Sequence, residues 1–306
     1  MKSRIEEVLT VIITTFNRSQ LLDETLVSLM DSPIKDCKIV VLNNHSTDKT
    51  LEVCDKYKEL FPHFQVVTHP VNLGGGSENF LHSIEYCDTE YIWHLADDDR
   101  YDFSHFDDVK EALCSHNYDL IQVGAHDEGV WDWGYSATPR EFVKRGYDYF
   151  RFSSFLPCTI FKFSFFTKYM KETYAALHLR YPHMASLIGA YNEDASLYLS
   201  KHRIITAAIG AQRYSNEVPF KGFILLSDLL QNRDDKVICV NAQMPGSISR
   251  IFLRLLYHNS FKDCIQYETP WLYYYKLYKI GNIRDKIVIV LFYLPVLFLR
   301  LFKSNH

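Results

Sequence analysis

The sequence predicts an α/β fold, a doubly wound and mostly parallel sheet followed by a helical C-terminal extension. Three observations lead there. Short β-branched runs alternate with amphipathic segments through the first half of the 306-residue chain. Each run ends in a polar or glycine-rich cluster, and the alternation stops near residue 215. Strands alternating with helices at this spacing imply a parallel sheet, and such sheets bind ligands beyond the carboxyl ends of their strands.

The elements follow in order. VLTVIITTF at 8–16 reads as a buried strand ending in Asn17 and Arg18. Ser19 is placed to cap a helix that carries Leu22, Thr25, Leu26 and Leu29 at helical spacing. KIVVL at 38–42 is a second strand, stopping at Asn43-Asn44-His45-Ser46, and a helix with Leu51, Cys54 and Tyr57 comes next. FQVVT at 64–68 is a third strand, followed by Asn72-Leu73-Gly74-Gly75-Gly76-Ser77 and a helix with Phe80, Leu81 and Ile84. EYIWHL at 90–95 is a fourth strand with Ala96-Asp97-Asp98-Asp99 at its end, and DLIQVG at 119–124 is a fifth. The four polar clusters thus converge on one rim.

Composition narrows the function classes. A hydrophobic share of 47% with 23% charged residues excludes wholesale disorder. The net charge of −4 divides into +6 over residues 241–306 and −10 over the rest, so no nucleic-acid partner is expected. The 7 Cys include no CxxC pair, which speaks against a disulfide framework or zinc site and for a reducing compartment. MKSRIEEVLT lacks the apolar stretch of a signal peptide. The run Ile287–Leu299 would make a helix about 20 Å long, short of the ~30 Å hydrocarbon core, so it is expected to lie on a membrane rather than cross one. Around it Arg250, Arg254, Lys276, Arg284, Lys286, Arg300 and Lys303 mix with large apolar residues, as in helices that bind anionic lipid surfaces. Packing onto the rest of the chain or onto a dimer partner is the alternative.

The chemistry sits in the clusters. Adjacent carboxylates at Asp97, Asp98 and Asp99 repel one another unless a cation compensates, and hard oxygen ligands suit Mg²⁺ or Mn²⁺. Gly74 to Gly76 let backbone approach a ligand closely. Neither a Walker A pattern nor GxGxxG is present, which disfavours a P-loop NTPase and a dinucleotide-binding oxidoreductase.

With these residues in place, Val8 to Asp99 resembles the nucleotide-sugar half of the family 2 glycosyltransferases, which have the GT-A fold. TTFNR at Thr14–Arg18 is similar to the family's opening motif, NNHSTD at Asn43–Asp48 to DNGSTD, NLGGGSENF at Asn72–Phe80 to its Asn-Gly loop, and Asp97–Asp99 to the DxD metal motif. The stretch from Asn79 to Asp99 is also similar to bacterial O-antigen and capsule transferases. The resemblance implies that Thr15, Phe16, Asn17 and Asn43 surround the base and ribose, with Gly74, Gly75 and Asn79 in the same donor site. It implies that Asp97 and Asp98 face the ribose or metal, and that Asp99, with Asp97, coordinates Mn²⁺ or Mg²⁺. NEDAS at 192–196 resembles the ED motif, which makes Asp194 the expected general base and Glu193 its neighbour. Asn43 stands where the family usually has Asp, and an amide both donates and accepts. The base is therefore open, with UDP as leading expectation.

Further expectations follow the resemblance. Ser153–Phe166 is similar to the acceptor-side strand and loop. Trp131, Trp133 and Tyr135 stack on sugars or belong to the core. His202 is a third metal ligand or an ordinary histidine, and His94 is structural. Residues 1–215 are expected to form the catalytic unit (1–100 nucleotide-sugar half, 101–215 acceptor half) and 216–306 the basic helical extension. The implied activity is metal-dependent, inverting sugar transfer to a hydroxyl of a surface glycan, lipid-linked or not, by a cytoplasmic protein peripheral on the inner membrane face. A non-catalytic scaffold subunit and a sugar nucleotidyltransferase are the alternatives.

Overall fold

The computed structural model describes residues 3–125, 133–207, 217–243, 246–257 and 270–303. Among them nine strands form one sheet: β1 Leu9–Thr15, β2 Lys38–Asn43, β3 Phe64–Thr68, β4 Tyr91–Ala96, β5 Arg100–Tyr101, β6 Leu120–Ala125, β7 Tyr135–Ala137, β8 Thr159–Lys162 and β9 Leu197–Thr206. Their order is β3-β2-β1-β4-β8-β6-β9-β5, with β7 paired to β9. The first four strands are all parallel, so Thr15, Asn43, Thr68 and Ala96 end on the same rim. The second half is mixed: β8 runs antiparallel between β4 and β6, while β9 is parallel to β6.

The five expected strands are present with ends shifted by a residue or so. β1 begins at Leu9 because Ile5–Val8 is a helical turn. Ser19 does not cap its helix. It is the first residue of Ser19–Met30, and its N–H donates to Asp48 Oδ2 at 2.9 Å instead.

Strand side chains alternate between faces. Ile12, Val40, Ile92 and Phe161 bury on one face, and Val11, Ile13, Ile39, Val41 and Trp93 on the other. Both faces are covered, as parallel strands require. The helix Met184–Asn192 lies on the first face with Met184 to Tyr191 all buried. Gly189 permits this, since a Cβ there would meet the Tyr169 ring at 2.4 Å. A third cluster, including Ile224, Phe252, Tyr273, Leu277 and Ile289, joins the C-terminal helices.

Candidate active site

Hydrogen bonds tie the rim clusters together. After β1 the backbone turns at Asn17 (φ 52°), a left-handed conformation that asparagine tolerates. Asn17 Oδ1 accepts from Thr47 N at 2.7 Å, and Asn17 N donates to Ser46 Oγ at 2.9 Å. Asn44, buried at the end of β2, accepts from Leu73 N at 2.9 Å and donates to Asn72 Oδ1 at 3.3 Å. Gly74 (φ 98°) needs its missing side chain, and its N–H donates to Asn72 Oδ1 at 2.7 Å. Gly75 is extended and leads into the short helix Gly76–Leu81. Thr15 is buried and Phe16 half-buried on the same edge.

The acids sit in the turn from β4 to β5. Tyr101 shapes this turn, its hydroxyl accepting from Ala96 N at 2.8 Å. Thr25 Oγ1 donates to the Asp97 carbonyl at 3.2 Å. Asp97 and Asp99 are buried, with 2% and 5% exposure, and Asp98 is half-buried. Arg18 Nη1 bridges Asp97 Oδ1 and Asp98 Oδ2 at 2.7 Å each. Burial raises the Asp97 pKa, and Arg18 offsets only part of that rise. Burial likewise opposes the Arg18 charge, but Asp97 and Asp98 more than compensate and keep the guanidinium charged. Asp97 Oδ2 and Thr15 Oγ1 are both sealed from solvent without a hydrogen bond of ordinary geometry.

Several expected site residues turn elsewhere. Asn43 is fully buried, its Nδ2 donating to Thr68 Oγ1 at 3.2 Å and its Oδ1 accepting from Ser46 N at 3.0 Å, so it organises the turn rather than meeting a base edge. Asn79 is spent inside as well, pairing with His69 Nε2 at 2.8 Å and donating to the Leu42 carbonyl at 2.9 Å.

Glu193 and Asp194 lie at the opposite rim. Leu197, Leu120, Phe161 and Ile92 share one row across β9, β6, β8 and β4. Asp97 lies five residues past Ile92 and Asp194 three before Leu197 on strands of the same direction. That separates them by roughly 25 Å along the strands. The helix Met184–Asn192 causes this, because it starts at the site rim and delivers its last turn to the opposite edge. There Glu193 pairs with Lys168, and Asp194 (φ 52°) accepts from Arg140 Nε at 3.3 Å.

His202 stacks on His105 with centroids 4.6 Å apart, four residues down β9 from the Thr206–Arg100 pair. Trp133 packs on Phe142 and Tyr147, at 5.5 and 5.4 Å between centroids, and Tyr135 lies in β7; both are partly buried against the core. Trp131 lies outside the described residues. His94 is structural, buried against Ser83 Oγ at 2.7 Å, and desolvation pushes its pKa down to about 3.

A cavity of about 310 Å³ opens on the same rim, bounded by Thr14, Ala96, Ser154, Arg180 and His183, and a separate one of about 320 Å³ is lined by Thr25, Asp98, Asp99 and Tyr101. Sequence reasoning passed over Arg18, Tyr101, Asn44, Arg180 and His183. Of these, Arg18 was in plain view inside TTFNR and Asn44 inside NNHSTD, whereas the others join the site only through the fold. His183 Nε2 lies 3.2 Å from both the Ser153 and Ser154 carbonyls, and burial pushes its pKa down to about 4.

Comparison with known proteins adds to this geometry. The profile of glycosyl transferase family 2 matches residues 10–193. The dTDP-rhamnosyl transferase RfbG of Shigella flexneri is 28% identical over 100 residues, 32% of this chain and 35% of that protein. Across the curated relatives the match spans 15% to 41% of their length. The crystal structure of S. aureus TarS 1–349 in complex with UDP-GlcNAc superposes with TM-score 0.60 at 16% identity, covering 92% of this chain and 83% of that one. A mannosyltransferase from Pyrobaculum calidifontis, solved with GDP-Man and Mn²⁺, gives TM-score 0.50 at 13% identity over 94% of this chain and 80% of that one. At such identities the structural likeness is one of fold.

Proposed function

Because the chain belongs to glycosyl transferase family 2, we propose that it moves a sugar, with inversion, from a nucleoside-diphosphate donor to a hydroxyl of a bacterial surface glycan, lipid-linked in the fuller form of the proposal. The observation that carries this is the single rim on which Thr15 to Arg18, Asn44 to Thr47, Asn72 to Gly75 and Asp97 to Asp99 are hydrogen-bonded into one constellation. The relatives' names support a nucleotide-sugar donor, and UDP leads because TarS was solved with UDP-GlcNAc.

The acids suit a divalent cation. Asp97 Oδ2 is sealed without a hydrogen bond, a costly state for a carboxylate oxygen that a hard cation would relieve. Among the described residues no three His, Cys, Asp or Glu converge as a ready cage. Mg²⁺ and Mn²⁺ sites of this kind rely on one or two carboxylates plus substrate phosphates. In this proposal Asp99 and Asp97 hold Mn²⁺ or Mg²⁺, which when bound neutralises charge on the diphosphate. Arg18 keeps the acids balanced until then, and Arg180, beside Gly75 and Ser77 at the cavity mouth, offers a cation to the phosphates.

Residues 1–215 form the catalytic unit in this reading and 216–306 a helical extension that docks on anionic membrane. No described helix is long and apolar enough to cross a membrane. The helix Ile283–Lys303 instead exposes Ile283, Ile287, Val290, Leu291 and Leu294, one face at helical spacing. Trp271, Tyr275 and Tyr278 are exposed nearby, with Lys279 and Lys286 over the Tyr275 and Tyr278 rings, each at 5.4 Å. Such a mixture fits the boundary between headgroups and acyl chains and the inner face of a membrane. A thermal-shift screen of UDP, dTDP and GDP with and without Mn²⁺ tests the donor assignment. One diphosphate should stabilise the protein, more so with metal, and no shift from any would contradict it.

A further inference from the structure

If a sugar is transferred at Asp97 to Asp99, its proton acceptor must lie on that rim, where Glu193 and Asp194 do not. A cavity at the ends of β1 and β4, bounded by Thr14 and Ala96 and by Gly76 and Ser77 after the glycine loop, gives an acceptor hydroxyl room on that rim, while Asp98 and Asp99 line a separate cavity with Thr25 and Tyr101. Among the described residues that bound the first cavity there is no carboxylate, and His183 is the side chain there with a ring nitrogen able to accept a proton. We propose that His183 is the general base of the transfer, accepting the proton of the attacking hydroxyl at Nδ1.

The geometry selects that nitrogen. The Ser153 and Ser154 carbonyls can only accept, so Nε2 carries the hydrogen and donates to both at 3.2 Å. Nδ1 then holds the lone pair in the neutral ring and has no hydrogen-bond partner among the described residues. The ring is held edge-on to Phe80, with centroids 6.1 Å apart and planes at 74°, and it opens the fully buried helix Met184–Asn192. Its orientation is therefore set by core packing rather than by a mobile loop. Burial keeps the imidazole neutral before the step, so the lone pair is on Nδ1 when the hydroxyl arrives.

The step balances. As the hydroxyl oxygen bonds to the anomeric carbon, the bond from that carbon to the diphosphate oxygen breaks and its electron pair leaves with the diphosphate. The hydroxyl proton passes to Nδ1, and the imidazolium returns it to water once products depart.

This inference rests on the transferase reading, and the test separates the two. His183→Gln keeps an N–H able to donate toward the serine carbonyls but has no basic nitrogen. Diphosphate release by the full chain is measured with UDP-GlcNAc, UDP-glucose, dTDP-rhamnose and GDP-mannose, with Mn²⁺ and polyribitol phosphate or water as acceptor. His183→Gln is expected to lower kcat by about 10²–10⁴-fold while the KM for the donor holds. In His183→Ala, with folding checked by the diphosphate thermal shift, imidazole should restore part of the rate in a saturable way. A His183→Gln kcat within about threefold of the parent, or no imidazole response in a folded His183→Ala that still binds donor, overturns the base and leaves the transferase reading standing. A parent protein that turns over none of the donors overturns the transferase reading and the base with it.

Discussion

At Asp97 a buried carboxylate, an arginine and a strand end meet, and the balance among them governs the site. Arg18 supplies the charge that makes two neighbouring acids tolerable there. Removing it in Arg18→Gln leaves Asp97 buried and uncompensated, at a cost of about 1–3 kcal/mol in urea unfolding. Added Mn²⁺ should recover part of that loss, because a cation at the acids replaces the missing charge. Histidines set the acid limit. His94 and His183 are held neutral, with pKa values lowered from the ordinary 6.5 to about 3 and about 4. The unfolded chain therefore binds protons first, so this contribution to stability is complete above about pH 6.5 and is lost as pH falls toward 4. Urea midpoints at pH 7 and pH 5 check the sign: the lower pH should be the less stable. Residue roles were the least legible level of the sequence. Asn43 ends β2 and Asn79 lies in the helix Gly76–Leu81, but a short amide at a strand end or in the first turn of a helix can as easily face inward. Only the hydrogen bonds to Thr68, Ser46, His69 and Leu42 decide it.

At the scale of elements, the parallel strands β1 to β4 were readable because each is a β-branched run closed by a polar cluster. β8 was harder, being four residues inside the aromatic-rich stretch TIFKFSFF with no turn signal to close it, and its antiparallel insertion between β4 and β6 is a tertiary choice. The direction of Met184–Asn192 mattered most. A nine-residue helix laid across the sheet carries its two ends to opposite rims, so an acidic pair just after it cannot reach the site that its first turn adjoins. Glu193→Gln and Asp194→Asn should therefore keep turnover within about twofold of the parent and change stability by no more than about 1 kcal/mol, as exposed ion pairs do. A loss of turnover with either variant would restore the ED pair to the chemistry.

For the molecule as a whole, the proposed function gives an acidic rim to the donor and a basic, aromatic extension to a separate surface. The +6 of residues 241–306 is the sequence feature behind that division. Which apolar residues pack and which stay exposed was not legible there, since Ile289 is buried while Leu291 and Phe292 are 63% and 53% exposed in the same helix. Because Ile289 and Asp285 anchor the extension, substitution tests docking more cleanly than truncation. Leu291→Asp with Phe292→Asp should release the chain from vesicles containing anionic lipid and leave donor turnover intact; unchanged partition would refute membrane docking. In the proposed function, carboxylates at one sheet rim hold the cation that binds a departing nucleoside diphosphate. Diphosphate release from nucleotide sugars by the parent and by Asp99→Asn, each with Mn²⁺ and then with EDTA, addresses it most directly. The parent should lose at least about 100-fold in EDTA and Asp99→Asn a similar factor in Mn²⁺, whereas equal turnover in all four conditions would contradict the account.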